Sequence, residues 1–142
     1  MLQDIIKTAF ASSYTFYVKT QFYHWNVEGD KFYMYHELFG KIYEEVQGAL
    51  DGFAEQIRTL ETYAPGTLAR IKELSSLEES EVIPSGIEMV RSLYADNRKV
   101  IADLLTAYKS AENEGELGIS NFLQDRITAH EKHNWFLRAS LV

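Results

Sequence analysis

The sequence predicts an all-α protein: four long helices in a bundle, with a long crossover between the second and third that carries a short helix of its own. Three observations lead there. Apolar residues recur at steps of three and four through four separate segments, as a buried helix face requires. Both prolines, Pro65 and Pro84, and Gly66 beside the first, fall in one central stretch and leave those segments unbroken. The outer links are short, which implies antiparallel neighbours, whereas the central link of roughly 20 residues is too long for a hairpin in a compact bundle.

The first helix is expected from about residue 3 to 25, carried by Leu2, Ile5, Ile6, Ala9, Ser13, Phe16, Tyr17, Thr20 and His24 and stopped at Asn26-Val27-Glu28-Gly29-Asp30. In the second, Phe32, His36, Phe39, Tyr43, Val46, Leu50, Phe53, Ile57 and Leu60 alternate steps of four and three. That is the seam of a long helix packed at a shallow angle, and it reaches about Thr62. Within the crossover, Thr67 caps a short helix running to Leu74. Ser85-Gly86-Ile87-Glu88 has capping-box spacing and starts the third long helix, which continues through Tyr108 and fades at Glu112-Asn113-Glu114-Gly115. The fourth follows Ile119, Phe122, Leu123, Arg126, Ile127, His130, Asn134, Leu137 and Leu141. This wiring lets the second and third long helices run parallel.

A chain of 142 residues suits one domain, spanning 1–142, with a core that needs no disulfide. The absence of cysteine excludes thiolate metal sites, iron–sulfur clusters and cysteine nucleophiles, so any metal must rest on oxygen and nitrogen. No apolar stretch approaches the roughly 20 residues of a membrane span and the first residues carry no export signal, so the expectation is a soluble cytoplasmic protein with no membrane partner. The net charge of −7 disfavours long-range attraction to nucleic acid and suits metal cations, or serves only solubility.

Glu-x-x-His, the one-turn pair that a di-iron centre within a single bundle needs on two helices, does not occur. What remains is His24, His36 and the pair Asp51 and Glu55, four apart on one helix face. His36 and Asp51 share one helix about 15 residues apart, hence roughly 22 Å along its axis, a span no metal ion bridges. If these four residues bind one metal, they come from two chains related by a twofold axis. Gly48 and Gly52 flank the carboxylates, and helix-interior glycines call for a packing reason such as a close neighbour. Plainer readings exist for each residue. The histidines suit a core, Asp51 and Glu55 suit a solvated face or an ion pair with Arg58, and His130 and His133, one turn apart, form an alternative metal pair.

The string His24-Trp25-Asn26-Val27-Glu28-Gly29, followed by Phe32, His36, Phe39, Tyr43-Glu44-Glu45 and Asp51-Gly52-Phe53-Ala54-Glu55-Gln56-Ile57-Arg58, closely resembles the signature of the Dps miniferritins, in the ferritin-like superfamily. Pro65-Gly66-Thr67-Leu68, Leu74-Ser75-Ser76-Leu77-Glu78-Glu79 and Glu131-Lys132-His133-Asn134-Trp135 extend the likeness over nearly the whole chain. The resemblance implies a ferritin-like fold and a hollow shell, typically a dodecamer. It implies an iron-storage and ferroxidase function: ferrous iron (Fe2+) oxidised to ferric (Fe3+), usually with hydrogen peroxide or else oxygen, and stored inside. By the same resemblance His24 and His36 of one subunit and Asp51 and Glu55 of its twofold mate are the iron ligands and catalytic residues, and Trp25 is an aromatic electron source beside the site.

Three departures qualify the likeness. The family commonly places an Asp one turn after the second histidine, where this chain has Gly40, so one iron position loses an oxygen ligand and oxidation slows. The acids that line the family's pores are represented by Glu112, Glu114 and Glu116, but Gly118 and Asn121 follow. The chain enters its first helix without a Lys/Arg-rich extension, so DNA binding through such a tail is not expected. The alternative function is a cage with weak or no ferroxidase activity, acting in metal sequestration or DNA protection.

Overall fold

The computed structural model describes all 142 residues and contains five helices: α1 (Leu2–Asn26), α2 (Phe32–Thr59), α3 (Leu68–Leu74), α4 (Gly86–Asn113) and α5 (Leu117–Ala139). Side-chain pairs between the helices fix the topology. Along α1, Ser12 reaches Asp103, Lys19 reaches Asp96 and Tyr23 reaches Ser92, so α1 and α4 are antiparallel. Phe10 meets Phe53, Tyr17 meets Tyr43 and His24 meets His36, so α1 and α2 are antiparallel as well. It follows that α2 and α4 run parallel, the arrangement that the long crossover was expected to allow.

Local chemistry sets the boundaries. Thr67 accepts from the Arg70 amide at 3.2 Å and caps α3, and Ser85 accepts from the Glu88 amide at 3.4 Å and caps α4. The second helix ends three residues earlier than the apolar seam suggested. Glu61 takes φ 61°, a left-handed turn that stops the helix, and the Arg58 guanidinium binds the Thr62 carbonyl at 3.1 Å. The last helix begins two residues earlier than Ile119, just past Gly115 at φ 71°.

One hydrophobic cluster draws on all five helices, with Phe16, Phe39, Phe53, Leu93, Leu104 and Leu123 fully buried. The crossover is tied down along α1: Ser12 accepts from the Ser76 amide at 2.9 Å, Lys19 donates to the Glu78 carbonyl at 2.7 Å, and Leu77 is buried. No helix is long and apolar enough to cross a membrane.

The seam predicted on α2 divides into two stripes. Of the seam, Phe39, Val46, Phe53 and Ile57 face the core, joined there by Tyr35 and Ile42 from beside it, whereas His36, Tyr43 and Leu50 are half-buried and Phe32 is exposed. A strict three-and-four pattern mixes these adjacent stripes, because a wide apolar face on a 3.6-residue helix satisfies it from either side.

Candidate metal centre

His24 sits in the last turns of α1 and His36 in the first turns of α2, and the link between them turns at Gly29, whose φ of +112° suits glycine. His24 donates its Nδ1–H to the His36 carbonyl at 2.6 Å, and His36 donates its Nδ1–H to the His24 carbonyl at 2.7 Å. Carbonyl oxygens only accept, so each Nδ1 carries a proton, and the tautomer that this leaves to either ring has its lone pair on Nε2. The His24 carbonyl lies near the end of its helix, where carbonyls lack intrahelical partners, and the His36 ring supplies one. The imidazoles stack with centroids 3.8 Å apart and planes at 14°. Hydrogen bonds at Nδ1 that orient a ring while leaving Nε2 open are the preparation a metal ligand needs.

Gly40 lies under this pair. A Cβ at that position would stand 2.9 Å from His24 Cε1 and 3.1 Å from Nδ1, so the missing acid leaves the room that the His24 ring takes. Tyr43, read from the sequence as a seam residue and as part of the string that carries the resemblance, packs its ring 5.2 Å from His24. Trp25 is 63 % exposed and makes no ring contact with His24, despite its place in the sequence.

Asp51 and Glu55 are exposed on α2, on the far side of the roughly 22 Å that helix geometry sets between Asp51 and His36. Within one chain no three His, Asp or Glu side chains gather as a metal-binding group. Arg58 does not pair with Glu55; it binds the Thr62 carbonyl and lies 5.0 Å over the Tyr63 ring. A Cβ at Gly52 would meet Phe122 at an ordinary 3.6 Å, and one at Gly48 would meet nothing within the chain. The packing reason sought for Gly48 therefore does not lie inside the subunit. Glu112, Glu114 and Glu116 are exposed, with Glu112 accepting from the Tyr108 hydroxyl at 2.6 Å and Glu114 from the Leu2 amide at 3.3 Å.

The pair His130 and His133 is committed elsewhere. Glu45 accepts from Arg126 at 2.6 and 3.0 Å and from His133 Nε2 at 2.8 Å, while Arg126 also donates to His130 Nε2 at 3.4 Å. His130 donates Nδ1–H to Asn97 Oδ1 at 2.7 Å, and the Asn97 amide donates back to the His130 carbonyl at 2.8 Å. Burial, with the Arg126 charge beside it, pushes His130 well below the ordinary histidine value of 6.5 and keeps it neutral. Burial alone would raise Glu45, but the hydrogen bonds from His133 and Arg126 and the Arg126 charge outweigh it and hold Glu45 far below the usual carboxylate range. The sequence carried one sign of this network: an arginine, Arg126, standing on an apolar helix stripe.

The chain matches the family model of the ferritin-like domain over residues 3–142. It is 33% identical over 125 residues to a "DNA protection during starvation protein" of Brevibacillus brevis, covering 88% of this chain and 84% of that protein. A Dps protein from Bacillus brevis superposes with a TM-score of 0.94 at 30% identity, covering 99% of this chain and 95% of that one. The Dps protein of Vibrio cholerae O1, described as a member of a broad superfamily of ferritin-like diiron-carboxylate proteins, does so at 0.94 and 26% identity, over 99% and 89%. With the helix wiring and the histidine-bearing first link, these likenesses establish that the chain belongs to the ferritin-like family, as a Dps-type miniferritin.

Proposed function

We propose that this chain is the subunit of a closed homo-oligomeric cage, a dodecamer, that takes up ferrous iron and oxidises it to ferric iron for storage. Hydrogen peroxide or oxygen is the oxidant. His24 and His36 of one subunit and Asp51 and Glu55 of its twofold mate are the iron-binding and catalytic residues, each site completed across the interface. The observation that carries this reading is the reciprocal histidine pair: two open Nε2 lone pairs on a half-buried face, with the carboxylates of the same helix too far away to share their metal. The roles are divided. The imidazoles supply neutral nitrogen donors, and the carboxylates supply hard oxygen and offset the charge that the iron gains on oxidation.

Exposed apolar side chains support assembly. Tyr33, Met34 and Trp135 are more than half exposed, and a groove of about 480 Å³ lined by Met34, Leu38, Trp135 and Phe136 joins the start of α2 to the end of α5. The second reading, favoured by Gly40, is a cage that binds iron but oxidises it slowly and acts in sequestration or DNA protection. Anaerobic ferrous titration of the assembled protein, followed by peroxide, decides between them. Tight binding with rapid oxidation supports the first, and tight binding with slow oxidation the second. A 16.4 kDa monomer by light scattering, or ferrous binding untouched by His24→Ala, would sink both.

A further inference from the structure

Tyr63 stands out from the bundle yet is held firmly. It is 81 % exposed, just past the end of α2, with the Arg58 guanidinium 5.0 Å from the centre of its ring. The segment that carries it is fastened to the helices: Arg58 donates to the Thr62 carbonyl at 3.1 Å, Lys7 to the Thr62 hydroxyl at 2.8 Å and Gln3 to the Leu60 carbonyl at 2.8 Å. A second exposed ring lies at the opposite end of α2. Phe32 is 42 % exposed and stacks on the His36 imidazole, with centroids 5.1 Å apart and planes at 28°. Packing within one subunit calls for neither ring to be aromatic and exposed.

Helix geometry brings these two ends together once two subunits share a site. Where His36 of one subunit lies level with Asp51 to Glu55 of its mate, on antiparallel helices of equal rise, Phe32 lies level with about residues 55 to 59 of the mate. Arg58 falls inside that window, and Tyr63 is packed on Arg58. The same register makes the twofold axis cross α2 at about residues 43 to 46, with Gly48 within roughly 7 Å of it. There the helices are closest, and a Cβ on Gly48 would meet nothing in its own chain. Away from the crossing, helices packed at a shallow angle diverge, and long side chains are needed to fill the gap. Arg58, Tyr63 and Phe32 stand where that gap opens.

Resting on the shared-site reading above, we infer that Arg58 and Tyr63 of each subunit pack on the Phe32 ring of its mate and wall the metal site against solvent. They are positioning residues: they touch Phe32, and Phe32 in turn holds the His36 imidazole, which is stacked on His24 as well. A guanidinium is attracted to the face of an aromatic ring, and the attraction grows as water is excluded. Excluding water also lowers the local dielectric, which strengthens the attraction between a cation and the carboxylates of the site. Tyrosine and arginine are the side chains that most often anchor an interface, and an anchor already fixed by Thr62, Lys7 and Gln3 loses little freedom on contact.

The test exploits a chain without cysteine. Subunits carrying Phe32→Cys and differently tagged subunits carrying Tyr63→Cys are co-assembled without metal and treated with a short bis-maleimide. The two positions lie at opposite ends of the 28-residue α2, roughly 40 Å apart, so a link between them joins different subunits. The expected product is a cross-linked dimer carrying both tags. In parallel, Co2+ is titrated into assembled protein without added cysteines. Arg58→Ala and Tyr63→Ala should each weaken binding roughly threefold to tenfold, and neither should cost anything further once Phe32→Ala is in place. A merely structural role predicts losses that add to that of Phe32→Ala. Cages that bind Co2+ through His24, His36, Asp51 and Glu55 but give no mixed-tag link, or show additive losses, overturn the wall and leave the shared site standing. A wild type that stays monomeric, or Co2+ binding indifferent to those four residues, overturns the shared site and the wall with it.

Discussion

His24 and His36 hold each other in place through the main chain: each imidazole donates to the other's carbonyl, and the rings stack 3.8 Å apart. The pair is the hinge pin of the α1–α2 turn as well as the nitrogen half of the proposed site. Ring orientation is set before any metal arrives, which lowers the ordering cost of binding.

Gly40 is the residue on which that geometry depends. Its replacement by alanine puts a methyl group 2.9 Å from His24 Cε1, so the ring must move and its bond to the His36 carbonyl is strained or lost. A neutral hydrogen bond contributes about 1 kcal/mol, so Gly40→Ala should weaken binding of a redox-silent probe such as Co2+ or Zn2+ by roughly fivefold to tenfold. Gly40→Asp carries the same steric cost and adds an oxygen ligand. It should bind better than the alanine variant without the simple gain over wild type that the sequence alone suggests. Isothermal titration of the three assembled proteins checks this, and unchanged affinity in Gly40→Ala would show that the histidine pair is not held as described.

The buried network predicts acid sensitivity. His130 titrates lower in the folded chain than in the unfolded one, so below about pH 6.5 the unfolded chain binds the extra proton and folding stability falls as pH drops. Glu45 acts in the same direction lower down: its contribution is fully present above the ordinary value of 4.5 and is lost as pH falls from there toward its depressed folded value. Denaturant unfolding at fixed protein concentration from pH 7 to 5 should lose stability with a slope of up to about 1.4 kcal/mol per pH unit from His130, on top of other groups. His130→Gln should flatten that slope. An unchanged slope would mean that His130 is not the group responsible.

Much of the helix pattern was legible in the sequence because it rests on local signals: the 3.6-residue period, Thr67 and Ser85 as caps, and Pro65 and Pro84 as breaks. The distance argument for a shared site was legible too, since helix rise is fixed by backbone geometry. Other features depend on which side chains the bundle brings together. Glu45, Arg126, His130 and Asn97 lie on three different helices, and no spacing in one segment reveals that they meet. The role of Gly40 as a seat for His24 was hidden for the same reason. The sequence shows only a missing carboxylate, whereas the ring that uses the space comes from the preceding helix.

Binding to duplex DNA should be weak at physiological salt, because a net charge of −7 per subunit repels phosphate and sequence-independent binding depends on clustered Lys and Arg. A gel-shift series with linear duplex from low to physiological salt measures it. Submicromolar affinity that falls steeply with salt would reveal a basic surface created by assembly.

The last prediction concerns the sharing of sites between subunits. His36 cannot reach Asp51 or Glu55 of its own helix, since roughly 22 Å and 28 Å of axis separate it from them, so each proposed site must draw its two halves from different chains. A variant carrying His24→Ala and His36→Ala, and another carrying Asp51→Ala and Glu55→Ala, should each lose rapid ferrous oxidation, because every site then lacks half its ligands. Mixing the two is the informative step. After dissociation and random co-assembly in equal amounts, a site works only where a subunit with intact histidines faces a mate with intact carboxylates, which is about one site in four. Oxidation per site should therefore return to roughly a quarter of the wild-type value, and tagged subunits pulled down together confirm that mixing occurred. If the mixed cages remain as inactive as either parent while the wild type is active, the two halves do not meet across an interface and the shared-site assignment is wrong. If the carboxylate variant alone oxidises iron normally, Asp51 and Glu55 are surface residues, and the histidine pair works with other ligands.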